Sequence, residues 1–413
     1  MKKPIAAILM ILAIFGSVSI ASADSSDAVV AYYASVGATL NHYDLKVANG
    51  ELVFKEAVAL PVNVQFATVD SDNQYMYVGS SNFVVGENGK HFLSVFKIDQ
   101  TTGELQKIGT DLPLPERPIN LVVDKSGKHL LIDYNRSATV EVYPIKADGT
   151  LGKVIAQPER PDPGIYPHQV RVTPDGGAAI TVGRGNDMTA TWPEELGRIT
   201  VYHLHDGIIT QSQKVFMQPG IGPRHLDFHP TKPWVYVSCE RGSKLLVYLL
   251  KNDTLSKEPL FVKDVLDDPA LANQRAGAIH VHPNGKFLYV SNRNDATVKN
   301  TSGQSVLVGG ENNIAVYAIN QITGEPIVIQ HINTHGIEAR TVVIDPSGHI
   351  LIVANQEQRT AADGTVIPRS MAVFNIKEDG MLTFVRKYDV QDQGQELFWS
   401  GLVALGGSKY SMW

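Results

Sequence analysis

Arginine, histidine and glutamate stand at fixed places in a repeating pattern, and these side chains could bind anions or move protons. The stretch from 222 to 240 reads GPRHLDFHPTKPWVYVSCE, with Arg224 near its start and Glu240 at its end. An arginine guanidinium presents a planar fork of N–H donors that suits a carboxylate, a phosphate or an oxyanion. Whether Arg224 and Glu240 share one site depends on the elements that carry them.

The chain is built from repeated segments of similar sequence. Six segments share an apolar residue, a polar turn rich in Asp, Pro and Gly, and a second apolar run, and they start 49 to 63 residues apart. They are VDSDNQYMYV from 69, VDKSGKHLLI from 123, VTPDGGAAIT from 172, FHPTKPWVYV from 228, VHPNGKFLYV from 281 and IDPSGHILIV from 344. Such turns predict hairpins, and a third and a fourth strand follow each one. Four antiparallel strands in a repeat of this length are typical of a propeller blade.

A seventh blade is predicted from the two ends of the chain. Three strands come from AVVAYYAS, LNHYDL and ELVFKEA, and the missing strand comes from LFWSGLVAL near the C-terminus. We therefore expect an all-β, seven-bladed β-propeller whose ring is closed by N- and C-terminal strands sharing one blade, with residues 24–413 as a single domain. Closure of this kind removes open sheet edges.

The first 23 residues predict a secretory signal peptide. A basic start and an apolar run precede Ala21-Ser22-Ala23, and the run is short for a membrane-spanning anchor, the alternative. We expect a periplasmic or secreted protein. The formal net charge of −6 favours neither nucleic acid nor an anionic membrane as a partner. Cys239 is the only cysteine, so no internal disulfide can form.

Propeller geometry brings distant positions to one face. The start of the innermost strand and the end of the second strand meet at the same rim, because each strand of about five residues crosses the blade once, over ~17 Å. The six segments align without gaps, so the same two rim positions can be identified in each of them. One lies four residues before the first apolar residue of the segment, and the other lies twelve residues after it. The first position is occupied by Gln65, Ile119, His168, Arg224, Gly277 and Arg340, and the second by Ser81, Asn135, Arg184, Glu240, Arg293 and Gln356. The ring is basic in an acidic protein, and it carries one carboxylate.

Insertions in blades 2, 4, 6 and 7 are predicted to hang over the same rim. They include GNDMTATWPEELG, NDATVKNTSGQSVLVGGEN and EQRTAADGTVIPR. Long loops on a rigid scaffold often carry function, so we expect walls or lids of a pocket, with Trp192 as a candidate contact. The alternative is that these insertions have no role in function.

The motifs resemble the seven-bladed lactonase family that includes bacterial 6-phosphogluconolactonase and the fungal carboxy-muconate lactonizing enzyme. The resemblance rests on YPH at 166–168, GPRHLDFHP at 222–230, IHVHPNGKFLYVSNR at 279–293 and EARTVVIDPSGHILIVANQ at 338–356. It implies a site of His168, Arg224, Glu240 and Arg293, with Arg340 and Gln356 as neighbours. We expect the first three residues to be catalytic. Ala278 stands where many relatives carry an acidic residue, and the export signal argues against a phosphorylated cytosolic substrate.

The resemblance implies an enzyme that opens a small anionic lactone. Hydrolysis needs an attacking water, a base and donors for the developing oxyanion. Either His168 or Glu240 could be the base, and the candidate substrate contacts are Arg293, Arg340, Gln356, Arg184 and Asn135. We expect no cofactor, no metal and a monomer or weak oligomer. The alternatives are a propeller that binds a small anion or a protein partner without catalysis, and a muconate-type lactonizing isomerase.

A purely structural role is the alternative for each of these residues. Arg224 and Glu240 could be a structural pair that ties two strands, and His168 could cap a strand end. The histidines at 225, 229, 280 and 282 are predicted to pack or to form turns, and Cys239 to be a buried, inert thiol.

Overall fold

The strands are arranged as seven blades around a channel. The computed structural model describes residues 29–271, 274–390, 394–406 and 411–412, so the expected signal peptide lies outside the described residues. Within these ranges all regular elements are strands, and no helix is long and apolar enough to cross a membrane.

The strands of the first four blades are short and antiparallel. In chain order they are β1 Val29–Val36, β2 Thr39–Lys46 and β3 Glu51–Ala59 in blade 1; β4 Val64–Val69, β5 Tyr75–Ser81, β6 His91–Ile98 and β7 Leu105–Pro113 in blade 2; β8 Pro118–Val123, β9 His129–Tyr134 and β10 Thr139–Pro144 in blade 3; and β11 Pro167–Val172, β12 Ala178–Gly183, β13 Arg198–His205 and β14 Ile208–Phe216 in blade 4.

The remaining blades carry extra short hairpins. Their strands are β15 Pro223–Phe228, β16 Trp234–Cys239, β17 Lys244–Lys251, β18 Thr254–Leu255 and β19 Phe261–Asp264 in blade 5; β20 Arg275–Val281, β21 Phe287–Arg293, β22 Thr297–Lys299, β23 Ser305–Leu307, β24 Asn313–Ile319 and β25 Pro326–Asn333 in blade 6; β26 Ile337–Ile344, β27 Ile350–Glu357, β28 Arg359–Thr360, β29 Val366–Ile367, β30 Ser370–Ile376 and β31 Leu382–Asp389 in blade 7; and finally β32 Leu397–Ala404 and β33 Ser411–Met412.

Both chain ends build blade 1, as predicted. The sheet order is β3-β2-β1-β32-β33, so β32 from the C-terminus pairs antiparallel with β1 from the N-terminus. Apolar side chains then fill each junction between neighbouring blades. The described residues form seven such buried clusters, one for each junction around the ring. The core of this fold therefore lies between the blades.

Blade 3 departs from the predicted four strands. Its sheet contains β8, β9 and β10 alone. The segment that follows is held by an isolated bridge between Ile145 and Leu151 and by a hydrogen bond from Ile155 N to Val142 O of 2.8 Å. Prolines at 158, 161 and 163 lie just beyond, and they have no N–H to donate to a ladder.

A tyrosine–glycine hydrogen bond joins several neighbouring blades. Tyr77, Tyr236 and Tyr289 donate their hydroxyls to the carbonyls of glycines in the β-turns of the next blade, at 3.0 to 3.1 Å. The acceptors are Gly149, Gly324 and Gly380, all with positive φ. A Cβ on Gly380 would lie 2.2 Å from the Phe287 ring. Glycine is thus required both by the backbone and by the aromatic ring packed on it.

Candidate active site at one mouth of the channel

One mouth of the channel holds a cavity of about 330 Å³ lined mostly by charged side chains. Five arginines and five carboxylates face it: Arg117, Arg184, Arg275, Arg293, Arg340, Glu240, Asp295, Glu338, Glu357 and Glu396. Tyr166, His168, Gln356, Ile119, Phe83 and Phe398 complete the wall. Six of the eight predicted site residues are therefore brought together, while Arg224 and Asn135 are buried outside the lining.

A β-bulge aims the side chain at the start of each innermost strand. In β15 the ladder shifts between Pro223 and His225, which leaves Arg224 without a partner in β16. The equivalent shift skips His168 in β11 and Arg340 in β26. Bulges of this kind redirect side chains at rims and next to active sites. The same irregularity occurs at Gln65, Ile119, Gly277 and Phe398, so it repeats in all seven blades.

Arg224 and Glu240 do belong to one site. The Arg224 Nε lies 2.9 Å from Glu240 Oε2, although Arg224 lies at the start of β15 and Glu240 follows the end of β16. Arg224 is 1% exposed, whereas Glu240 reaches the cavity. The arginine therefore supports the carboxylate from behind, and it has no exposed edge that could meet a substrate.

Glu240 is surrounded by arginines. Arg293 Nη2 lies 3.0 Å from Oε2, and Arg184 Nη1 lies 3.7 Å from Oε1. Burial opposes ionisation of Glu240, but the charges of Arg293 and Arg224 outweigh it and lower its pKa to about 2. Glu240 is thus an anion at neutral pH with little affinity for a proton.

His168 has the opposite character. It is 8% exposed, and its Nδ1 is buried without a hydrogen-bond partner among the described residues. The ring packs edge-on against His225, with 5.0 Å between centroids. Burial, followed by the charges of Arg224 and of its other cationic neighbours, lowers the pKa of His168 well below its usual value. The imidazole is therefore neutral at pH 7 and has a lone pair to offer.

Arg340 and Arg117 have no carboxylate within 4 Å in the described part of the chain. The Arg340 guanidinium stacks on Phe398 at 3.8 Å, and Arg117 stacks on Phe83 at 4.5 Å. Burial and the nearby charges of Arg293 and Arg117 lower the pKa of Arg340 to about 10, so it stays cationic at neutral pH. Two like charges held near each other favour the binding of an anion between them.

A family model described as "Lactonase, 7-bladed beta-propeller" matches residues 27–363. The chain belongs to this family.

Curated relatives and solved structures agree with this assignment. A Bacillus subtilis (strain 168) 6-phosphogluconolactonase is 27% identical over 303 residues, 71% of this chain and 78% of the relative. A 6-phosphogluconolactonase of Pectobacterium atrosepticum is 26% identical over 379 residues, 91% of this chain and 99% of the relative. The structure of a Pseudomonas aeruginosa periplasmic gluconolactonase shares the fold with a TM-score of 0.72 at 20% identity, covering 92% of this chain and all of that one.

The rim of this lactonase-family propeller carries more acid than the sequence led us to expect. The prediction of one carboxylate is wrong, because Asp295, Glu338, Glu357 and Glu396 also face the cavity. Three of the five arginines are consumed in ion pairs with these groups and Glu240. The two arginines that take no part in these ion pairs, Arg117 and Arg340, therefore supply the positive charge of the cavity wall.

A second row of positions contributes most of the residues that were missed. Each stands two residues before the bulge of its blade, and they are Arg117, Tyr166, Arg275, Glu338 and Glu396. For the six aligned blades, the alignment that gave the predicted rim positions contains these positions as well. The bulge of blade 1, at Phe398, was missed because that blade has no segment of the repeated pattern.

The insertions supply part of the wall. Phe83 comes from the insertion of blade 2 and Asp295 from that of blade 6, where Arg359 of blade 7 contacts it at 2.8 Å. Trp192, a predicted contact, is instead 74% exposed and outside the lining. The Gln356 amide donates to Glu357 and Glu396 at 3.3 and 3.1 Å, respectively, and Arg184 stacks on Tyr166 at 4.9 Å.

The other mouth of the channel offers fewer available groups. A cavity of about 640 Å³ is lined there by the hairpin turns. Asp227 is paired with Arg171 at 3.0 Å, and His229 Nε2 bonds the Gly285 carbonyl at 2.9 Å. His229 and His282 are turn residues, as predicted, and Cys239 is fully buried with a raised thiol pKa. No cluster of three or more metal-ligating side chains occurs in the described ranges.

Proposed function

We propose that this protein is an exported lactonase that hydrolyses a small anionic sugar lactone or related cyclic ester at the Glu240-bearing mouth of the channel. The observation that carries the proposal is the meeting in one cavity of a neutral imidazole, His168, and two arginines, Arg117 and Arg340, that have no carboxylate within 4 Å among the described residues. Family membership supports the reaction class. The sequence of residues 1–23 supports export, and the P. aeruginosa relative of the same fold is described as periplasmic.

The proposed reaction begins with attack of a water oxygen on the lactone carbonyl carbon. His168 takes one proton from that water through Nε2, since its Nδ1 is buried. The carbonyl oxygen becomes an oxyanion, which Arg340 is placed to stabilise. The ring C–O bond then breaks, and the imidazolium returns its proton to the leaving alkoxide, giving a hydroxy acid.

His168 is a better candidate for the base than Glu240, a choice that the sequence left open. A carboxylate with a pKa of about 2 would hold a proton from water too weakly. The Glu240 oxygens are also held by Arg224, Arg293 and Arg184, whereas the His168 ring is neutral and keeps a lone pair for a proton. Binding of an anionic substrate would also offset the arginine charges around His168 and raise its basicity.

The test is hydrolysis of a lactone panel, followed as proton release in weak buffer. The panel contains D-glucono-1,5-lactone, its 6-phosphate and D-glucaro-1,4-lactone, which differ chiefly in the charge at the end away from the lactone carbonyl. We expect catalysed ring opening, with higher kcat/KM for the anionic members. Ligand-induced thermal stabilisation without proton release from any member would instead indicate a binding protein.

A further inference from the structure

Glu338 is a buried carboxylate beside the proposed catalytic groups, and the reaction above does not use it. Its side chain is 6% exposed and bridges two arginines. Oε1 accepts a hydrogen bond from Arg293 Nη1 at 2.6 Å, and Oε2 accepts one from Arg275 Nη2 at 3.0 Å. Both oxygens are thus committed to cations, so Glu338 is placed to hold side chains rather than to exchange protons.

The backbone at Glu338 is held in a conformation that L residues seldom adopt. Its φ is +60°, in the left-handed region. The amide N donates to Asn312 Oδ1 at 2.8 Å, and the same oxygen accepts from Asn294 N at 3.1 Å. Asn294 and Asn312 close the neck of the blade 6 insertion, so the insertion locks this backbone. Strained residues that are fixed in this way cluster at functional sites.

Arg293 lies between Glu338 and Glu240. Its Nη1 contacts the first and its Nη2 the second, at 2.6 and 3.0 Å, respectively. The side chain passes over Gly277, where a Cβ would lie 2.3 Å from Ser291 Oγ and 3.0 Å from Arg293 Cδ. Glycine at that bulge therefore makes room for the arginine, and two carboxylates fix the orientation of its fork.

We propose that Glu338 is a positioning residue: it holds the Arg293 guanidinium against Glu240 and supplies the negative charge that offsets the cations around His168. The catalytic part of this inference rests on the proposed lactonase function, whereas the placement of Arg293 does not. The ionisable groups that act most strongly on His168 are Arg224, the imidazole of His225, Arg340 and Arg293. None of them is anionic, so the balancing charge comes from Glu240 and Glu338 at one remove.

Glu338→Gln tests the proposal, because it keeps the shape and removes the charge. With D-glucono-1,5-lactone, we expect kcat to fall about tenfold or more and KM to change little. We also expect the acid limb of kcat/KM to move to lower pH, since an uncompensated Arg293 makes His168 harder to protonate. Loss of activity with an unmoved acid limb would assign Glu338 to stability alone and overturn the proposal.

Asp162→Asn is the matched control. Asp162 also pairs with two cations, Arg198 and Lys214, but it is exposed and lies outside the cavity. We expect unchanged kcat and an unchanged acid limb. Glu338→Asp restores the charge, tolerates the same backbone better and reaches less far, so it should return the acid limb to its wild-type position. If Glu338→Gln does not fold, the position of Arg293 in Glu338→Asp decides the matter, because Asp keeps the charge but reaches less far.

A crystal structure of the folded variant separates this inference from the proposed function. In Glu338→Gln, or in Glu338→Asp if the first is unstable, Arg293 should move away from its wild-type position beside Glu240. An Arg293 that stays in place in the variant refutes positioning by Glu338. A wild-type protein that opens no lactone refutes the proposed function, yet leaves this structural result to decide the placement of Arg293.

Discussion

His168 and Glu240 show how one cluster of arginines gives two neighbouring groups different roles. Burial, together with the positive charges, destabilises the protonated imidazole of His168, and the same charges stabilise the ionised carboxylate of Glu240 against burial, so both pKa values fall. For Glu240 the result is a permanent anion that fixes arginines. For His168 the result is a neutral base at working pH. At neutral pH the cluster therefore contains an ionised carboxylate, Glu240, beside a neutral imidazole, His168, the proposed base.

The pH profile of the enzyme should report His168. Because its pKa lies below the ordinary value of 6.5, kcat/KM should be flat near neutrality and should fall only at lower pH. Arg340→Gln removes one of the three cations that act on the ring, the others being Arg224 and Arg293. It should therefore raise the pKa of His168 and move the acid limb upward. Rates measured from about pH 4 to 9 check this, and a limb that moves downward contradicts it.

Glu240→Gln should affect stability as well as turnover. The change leaves Arg224 and Arg293 buried with less compensation, so we expect a loss of about 3–5 kcal/mol in the free energy of unfolding. The folded-state pKa of Glu240 is depressed from 4.5 to about 2, so its stabilisation is present above pH 4.5 and is lost as the pH falls towards 2. Denaturant unfolding across this window should show a smaller pH dependence in the variant. An equal pH dependence in both proteins would exclude Glu240 as its source.

At the scale of elements, the repeated bulge turns an ordinary propeller blade into a carrier of site residues. One extra residue at the start of the innermost strand frees the side chains of His168 and Arg340 from the ladder and directs them to the cavity. The tight turns that join the first and second strands of the blades lie at the opposite mouth. This division explains why the insertions that wall the site and the charged residues share one face.

The sequence was sufficient for the blades, apart from the fourth strand of blade 3, but not for the details of the mouth. Turn residues at regular spacing predicted the hairpins, the closure and the rim positions of His168, Glu240 and Arg340. The bulges were not predictable from alternation alone, since a bulge is one residue that breaks it. Ion pairs between blades, such as Arg293 with Glu338, join residues 45 positions apart and depend on side-chain conformations that no local pattern specifies.

The tyrosine–glycine contacts predict how junctions between blades respond to substitution. Tyr289→Phe removes the hydrogen bond to the Gly380 carbonyl and should cost about 1 kcal/mol. Gly380→Ala should cost more, because the new Cβ meets Phe287 and the φ of +82° is unfavourable. Gly364→Ala is the control, with a φ of +89° but open space around the Cβ. Thermal unfolding of the three variants should rank Gly380→Ala as the least stable, and any other order contradicts the packing argument.

At the scale of the whole molecule, stability depends on a closed ring of junctions. Each junction buries apolar side chains from two blades, and blade 1 borrows its inner strand, β32, from the far end of the chain. Trp399 on that strand is 1% exposed and packs against blade 2. The strand that closes the ring also contributes to the site, since Phe398 on β32 stacks against the Arg340 guanidinium.

Truncation tests this closure. A chain that ends at residue 390 lacks β32 and should lose cooperative unfolding and expose sheet edges that aggregate. A chain that ends at residue 406 keeps β32 and removes only β33 and its flanking residues, so it should stay folded with a modestly lower Tm. Calorimetry and size-exclusion chromatography distinguish the two outcomes. A folded, monodisperse protein ending at residue 390 would show that the ring does not need its closing strand.

The most direct test of the account is the turnover of His168→Gln on whichever lactone the wild type opens fastest. If His168 is the base, kcat should fall about 10²- to 10⁴-fold, with unfolding behaviour close to wild type. The control, His205→Gln, changes an exposed histidine outside the cavity and should leave kcat unchanged. A folded His168→Gln protein that retains wild-type kcat would show that the imidazole at this mouth is not the base.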